Sequence, residues 1–261
     1  MNLRACFILA GWLLAMPLAF PGCDRFGASE HATKNSGMEV CYAQAKQDFF
    51  KGLELYDRKQ FADADAQFAL VRRQCPEAPF GWHGAFIVAM ALGDEDAVAV
   101  NAQKTIDLLG TVKRQHPELW DGYLHFLAGV CLAQGLNDAA GAKPHYREAC
   151  VLGEGRGCSN LGWILEKDEE QPAQAIQWYT RGCDLNYGRA CTNRGVIEET
   201  VNTDTAAAMV SYTRGCELLH PAGCRNASLL LQKEGKEQPA AVLLKKACDL
   251  GDEVACDQMP H

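Results

Sequence analysis

An all-α fold, a solenoid of stacked helix-turn-helix repeats, is predicted by three features of this 261-residue sequence. Four cysteine pairs, Cys150 with Cys158, Cys183 with Cys191, Cys216 with Cys224 and Cys248 with Cys256, share one internal spacing and succeed one another at offsets of 33, 33 and 32 residues. Two helices of three to four turns and two short turns consume about that many residues. Around the pairs the same small and apolar residues recur. Upstream, Phe80, Gly84, Ile87 and Ala91, and again Trp120, Leu124, Leu127 and Cys131, keep the helical rhythm.

From the N-terminus, Arg4 precedes an uncharged apolar run from Ala5 to Phe20, the length of a signal-peptide core rather than of a membrane span. Residues 1–22 therefore read as a signal peptide. Phe20-Pro21-Gly22-Cys23 resembles a bacterial lipobox and makes Cys23 the candidate lipidation site, whose acyl chains would anchor the chain without a transmembrane helix. Phe20 and Pro21 depart from the usual residues, so ordinary cleavage to a soluble secreted product is the competing reading. Residues 23–38 carry Gly, Ser, Asn and Lys and read as a polar tether.

Residues 39–135 read as helical repeats. Gly52, Leu55, Ala64, Phe68, Val71 and Pro76 sit at the spacing of a tetratricopeptide repeat, in which Gly and Ala mark the closest helix crossing and Pro ends the unit. A second unit is expected from Pro79 through Gly93-Asp94 to about Arg114. A third follows Pro117, with Trp120, Tyr123, Leu124, Leu127 and Cys131.

Residues 136–261 carry the cysteine pairs. Tyr179–Cys183 and Tyr212–Cys216 share the string YTRGC, and Tyr146 and Leu244 hold the equivalent aromatic or apolar place. One cysteine near the end of a helix faces another near the start of the next. Ala149, Gly157, Gly182 and Ala190 beside them are small enough to let the backbones reach disulfide range. Buried free thiols would not explain a gap that recurs four times. Zinc fits worse, because stacked helices about 8–10 Å apart cannot bring two neighbouring pairs around one ion. Disulfides are the expectation, and they imply an oxidising compartment. Cys41 opens a first helix and Cys75 closes its partner, so these two are a candidate fifth bridge, with unpaired thiols as the other reading. Cys131, between Val130 and Leu132, reads as a buried core residue.

The strings YREACVLGEGRGCSNLG, YTRGCDLNYGRACTNRG and YTRGCELLHPAGCRNAS resemble Sel1-like repeats of the Helicobacter cysteine-rich protein family, over about Lys143 to Cys256. The resemblance implies an exported, right-handed superhelix of αα-hairpins, each closed by a disulfide. Arg194-Gly195 and Ala227-Ser228 depart from the Leu-Gly usual after the repeat's Asn, and the Gly-rich turn between helices is shortened.

Charge and motif content narrow the function. Acidic residues outnumber basic ones, 33 to 25, and removing residues 1–22 takes away only Arg4. No basic cluster interleaved with aromatics is present, so nucleic acid is not an expected partner. No nucleophile elbow, His-Glu-x-x-His pair, Walker loop, dinucleotide fingerprint or Ser-x-x-Lys occurs. The seven histidines show no ligand spacing, and neither metal nor cofactor is expected. A solenoid offers instead a long concave surface for a protein or peptide. Candidate contacts are Asn160, Asn193 and Asn226, whose amides can both donate and accept, with Arg194 and Arg225 as receivers of a carboxylate. An equally available role for each Asn is a hydrogen bond that stabilises its own repeat. The expectation is a noncatalytic interaction scaffold, a periplasmic or cell-surface lipoprotein that touches the membrane only through its lipid. The alternative, implied by the family resemblance, is a penicillin-binding or weak β-lactamase activity.

Overall fold

Glycines pressed against aromatic rings set the distance between successive helices. In the computed structural model, which describes residues 30–259 and side chains from residue 37 onward, thirteen α-helices and no strand are found among the described residues. They are α1 (Glu30–Asp57), α2 (Phe61–Gln74), α3 (Phe80–Leu92), α4 (Glu95–Gln115), α5 (Gly122–Val130), α6 (Ala139–Val151), α7 (Gly155–Lys167), α8 (Pro172–Asp184), α9 (Gly188–Thr200), α10 (Thr205–Glu217), α11 (Pro221–Lys233), α12 (Glu237–Asp249) and α13 (Glu253–Asp257). From α2 onward each packs on its neighbours in sequence, so the predicted α-solenoid is the fold. The segment read as a signal peptide, and Cys23, lie outside the described residues.

α1 starts at Glu30, inside the span read as a tether, and the compact unit begins at Glu39. No proline separates Asp24 from Gly37. Once Tyr42, Ala45 and Phe49 are held in the core, extending a helix backwards adds a hydrogen bond per residue without a new nucleus. Phe49 packs on Phe68 and Phe80, with ring centroids 5.5 and 5.7 Å away. A Cβ on Gly52 or Gly84 would lie 2.3 or 2.2 Å from the Phe68 ring, which explains both glycines of the first repeats. The turn at Gly93 is left-handed (φ 72°), and Asp94 then caps α4 by accepting from Ala97 N at 3.0 Å.

The third unit departs from expectation at both ends. Trp120 lies outside α5, because Asp121 accepts from Leu124 N at 2.9 Å and starts the helix after it. α5 then runs into a π-helical turn, Cys131–Gly135, which widens the backbone at Cys131. Cys131 is a buried free thiol 3.4 Å from His83 Nδ1. His83 stands where later repeats carry the second cysteine of a staple, as the fourth residue of its helix.

From α6 to α12 every helix has 13 residues. Three-residue turns join the stapled hairpins, and their central residue is left-handed: Gly153, Asn186, Leu219 and Gly251, at φ 91°, 61°, 61° and 93°. Leu219 alone carries a branched apolar side chain in that conformation, which costs about 1–2 kcal/mol. Disulfides close all four hairpins, Cys150 with Cys158, Cys183 with Cys191, Cys216 with Cys224 and Cys248 with Cys256, at Cα separations of 4.5–4.7 Å. Cys41 with Cys75 forms a fifth at 5.8 Å. The small neighbours make this approach possible: a Cβ on Gly157 or Gly182 would sit 2.6 or 2.7 Å from the Cβ of Ala149 or Ala190.

The bridges join the end of one helix to the start of the next, as expected, and the structure adds the depth of their sulfurs. Read from the sequence as staples at helix ends, and counted among the candidate site residues, Cys158, Cys191 and Cys224 are core residues, each 0% exposed. Each is the fourth residue of its helix, one turn in from the hairpin's edge, where the helix before it and the next hairpin both cover it. Cys150, Cys183 and Cys216 across from them are buried as well, so three of the bridges fill the interior and leave the surface to other side chains. The terminal bridge is partly open, Cys248 and Cys256 being half-buried because no further described hairpin packs over them, and Cys41 of the fifth bridge is half-buried as well.

Between hairpins, Gly129, Gly162 and Gly195 lie against Tyr146, Tyr179 and Tyr212, all three rings fully buried. In the last unit Leu244 replaces the tyrosine and Ser228 replaces the glycine, its hydroxyl donating to Ala240 O at 2.7 Å. The apolar cluster that holds Phe86 and Ala102 also holds Tyr146, Leu161 and Tyr179. One apolar cluster thus runs across position 135.

Reduction should loosen the stapled half first. Each short bridge contributes about 2.5 kcal/mol on the chain-entropy model. Hydrogen exchange in dithiothreitol should therefore show amides of α6–α13 losing protection ahead of those of α3–α5, which carry no bridge. Uniform loss would contradict this.

Gly162→Ala should cost about 1–3 kcal/mol in urea unfolding, the usual overpacking penalty. The new Cβ would meet the rigid, buried Tyr179 ring at 2.7 Å.

Candidate functional site

Helices α7, α9 and α11, each carrying the second cysteine of a staple, present one face with two hollows in series. The first, of about 420 Å³, is lined by the π turn and by Tyr146, Asn160, Trp163, Asp168, Arg189 and Asn193. The second, of about 690 Å³, includes Arg189, Asn193, Val196, Leu219, His220 and Asn226. Arg189 and Asn193 belong to both, so the hollows are continuous. The three asparagines predicted from the sequence fall on this face.

Each asparagine amide faces the hydroxyl of a buried tyrosine: Asn160 with Tyr146, Asn193 with Tyr179 and Asn226 with Tyr212. Burial pushes the pKa of all three phenols up, and the amides pull it down. Two of the hydroxyls donate onward, Tyr179 to Glu166 Oε2 and Tyr212 to Glu199 Oε2, both at 2.9 Å. Glu199 also receives Lys233 Nζ at 2.9 Å, which, first among the causes, lowers its pKa. The result is a ladder of Asn, Tyr and Glu that ties one repeat to the next. The asparagines are half-buried and each uses part of its capacity in this ladder.

The two predicted arginines are spoken for. Arg194 Nε donates to Ser211 Oγ at 2.9 Å and lies 3.5 Å from Glu198 Oε1. Arg225 Nε donates to Asp252 Oδ2 at 2.8 Å, the same carboxylate group that caps α13 through Ala255 N. Ser211 and Asp252 come from later helices and turns, and neither is adjacent in sequence to its arginine. Arg189, which the sequence reading passed over, is exposed and has no hydrogen bond or ion pair among the described residues. A comparison along the repeat was the available signal. One period earlier, Arg156 is held by Glu154 through Nε at 2.7 Å and stacks over Phe126 and Tyr123. One period after Glu154, the equivalent place before Arg189 is held by Tyr187. Trp163, 48% exposed beside Asn160, was also missed.

His220 shares a 2.9 Å hydrogen bond with Thr192 Oγ1. That hydroxyl's single proton is directed to Gly188 O at 3.1 Å, so His220 Nδ1 is the donor. Burial, reinforced by the charge of Arg189, lowers its pKa to about 4. A histidine with a depressed folded pKa contributes stability that is complete above the unfolded value near 6.5 and is lost as pH falls from there through about 4. Urea unfolding of the oxidised chain should show this slope, and His220→Gln should be less steep over the same interval. An unchanged slope would mean that the ring is freely protonated in the fold.

No group of His, Cys, Asp and Glu among the described residues has the arrangement of a metal site. No described helix is long and apolar enough to cross a membrane.

Neither a protein-family profile nor a curated protein sequence matches this chain. The likeness lies in solved structures. A Sel1 repeat protein from Oxalobacter formigenes aligns with TM-score 0.53 and 16% identity, over 79% of this chain and 86% of its own. The antigen c5321 of uropathogenic Escherichia coli, which displays an SLR fold, aligns with TM-score 0.56 and 21% identity over 86% of this chain and 48% of that one. PilF of Pseudomonas aeruginosa aligns with TM-score 0.54 and 12% identity, over 85% and 97%. At these identities the match establishes a fold shared with Sel1-repeat proteins.

Proposed function

We propose that this protein is a noncatalytic scaffold that holds a protein or peptide partner along the face formed by α7, α9 and α11, the concave surface of the solenoid. The observation that carries this reading is the pair of continuous hollows on that face, edged by Asn160, Asn193 and Asn226 and by an arginine with no internal partner among the described residues. Amides that have spent only part of their capacity on a neighbouring tyrosine can pair with an extended backbone whatever its side chains. Arg194 and Arg225 would serve this surface by bracing it, and Arg189 would meet the partner.

The state of the buried reactive groups supports a noncatalytic role. Cys131 and His83 lie side by side, but burial raises the thiol to about 12 and lowers the imidazole to about 3. Both are neutral and sealed in the core, where no substrate reaches them. Ser211, which contacts both Arg194 and Glu198, is 1% exposed and acts as a strut.

Five disulfides support an oxidising, extracytoplasmic location. We place the chain outside the cytoplasm, exported by the segment 1–22 and held at a membrane through lipid on Cys23, in the manner of the cysteine-rich family it resembles. Repeats 39–135 and 136–261, in one continuous stack, would present the partner surface on that side of the membrane.

Photo-crosslinking in the native host tests the surface. A benzophenone amino acid at Asn193 or Asn226 should capture a polypeptide that the same probe at Val210 or Val242, exposed on α10 and α12, does not. Capture from α10 and α12 alone would overturn the assignment.

A further inference from the structure

The tyrosine ladder breaks at its first rung. Tyr179 and Tyr212 each donate to a glutamate 13 residues earlier, Glu166 and Glu199. The same step back from Tyr146 arrives at Ala133, and Gln134 beside it forms no hydrogen bond with the tyrosine. Tyr146 is 1% exposed, yet its hydroxyl has no acceptor of this kind and lines the first hollow with Ala133 and Gln134. The glycine that accommodates its ring, Gly129, occupies the same place as Gly162 and Gly195, but Ala133 lies in the π turn where Glu166 and Glu199 stand on regular helix.

Arg189, on the same hollow, repeats the pattern. Its equivalent Arg156 is clamped by the Glu154 carboxylate, and Arg189 lacks that carboxylate too. Two groups that elsewhere in the array bind internal carboxylates therefore face one cavity of about 420 Å³ without them. Asn160 adds an amide and Trp163 an exposed ring on its edge. Asp168 is the opposing charge on the rim, and it makes no ion pair among the described residues.

We infer that this hollow receives the side-chain carboxylate of a glutamate in a partner polypeptide, in the position that Glu166 and Glu199 fill one and two repeats later. Tyr146 Oη and the Asn160 amide donate to it, Arg189 supplies the charge, and Trp163 covers the adjacent apolar residue of the partner. Charge-assisted hydrogen bonds in a partly desolvated pocket give this contact its selectivity over glutamine. The chain's own net charge of −8 opposes an acidic partner at long range, and physiological salt screens that repulsion beyond about 8 Å. The inference rests on the scaffold reading and names the chemistry of its partner.

The test is titration of the oxidised chain with acetyl-Leu-Glu-Leu-amide at about 0.15 M salt, the physiological ionic strength, followed by NMR. Saturable shifts are expected at Tyr146, Asn160, Trp163 and Arg189, and the glutamine peptide should bind at least about tenfold more weakly, a difference near 1.4 kcal/mol. Ala133→Glu supplies the missing carboxylate from within. It should abolish peptide binding while leaving the circular dichroism and melting transition of a folded chain. Arg189→Gln, at an exposed position, should weaken binding with the fold intact.

Equal binding of the glutamate and glutamine peptides, or undiminished binding to Ala133→Glu, overturns the inference. So does tighter binding of acetyl-Leu-Leu with a free carboxyl terminus, which would assign the hollow to chain ends. Partner crosslinking from Asn226 that persists in Ala133→Glu, alongside any of these results, would sink the carboxylate site and retain the scaffold. Loss of crosslinking from that face in the wild-type chain removes the scaffold itself.

Discussion

The closeness of successive helices governs this molecule. Helices whose facing positions are Gly and Ala approach until backbone meets side chain, and at that distance two cysteines bond across a three-residue turn. The Cα separations of 4.5–4.7 Å at the four short staples follow from the small residues beside them. The same closeness on the other side of each helix presses a glycine onto a tyrosine ring and carries that ring's hydroxyl through to the far face. There it meets an asparagine and, in two units, a glutamate. Packing and surface chemistry are thus one arrangement seen from two sides.

The sequence revealed the features that repeat, because periodic recurrence amplifies a weak local signal. The staples, the aromatic at Tyr146, Tyr179 and Tyr212, and the row of asparagines could all be read from a constant offset. A constant offset says nothing of depth, however, and the burial of Cys158, Cys191 and Cys224 comes from the next hairpin in the stack. Gly52 and Phe68 were legible for a related reason: a glycine and a large apolar residue at fixed separation imply contact. What escaped notice breaks the pattern. The π turn at Cys131–Gly135 depends on how α5 fits between α4 and α6, which no local preference encodes. Trp120 has an apolar side chain in helical register, yet Asp121 starts the helix behind it.

The candidate site divides along the same line. Asn160, Asn193 and Asn226 were found because they recur. Arg194 and Arg225 were attractive because they sit next to asparagines. Their partners, Ser211 and Asp252, come from the following helices and from turn geometry. An arginine's availability is decided by which carboxylates surround it in space, and residue type gives no information on that. Arg189 is exposed and, among the described residues, unpaired where Tyr187 occupies the place that Glu154 holds one unit earlier, a contrast that the repeat offset exposes but whose meaning rests on the Arg156–Glu154 contact in space.

Repeat architecture lets one unit serve as the control for another. A buried tyrosine that meets an internal carboxylate in two units meets none in a third, where its ring packs on a glycine in the same way and the preceding segment is the π turn. Ala133 supplies no acceptor where Glu166 and Glu199 do. Tyr146 keeps the Asn160 amide but lacks the second partner of its sister rings, so its hydroxyl proton is available to an acceptor from outside the chain. Leu219 points the same way on the adjoining hollow. It keeps a branched side chain in a left-handed turn where Gly153, Asn186 and Gly251 show the relaxed solutions, and it holds that side chain 64% exposed. Local strain and an unfilled polar position, both on one continuous face, are what a surface shaped for a partner retains at the expense of its own stability.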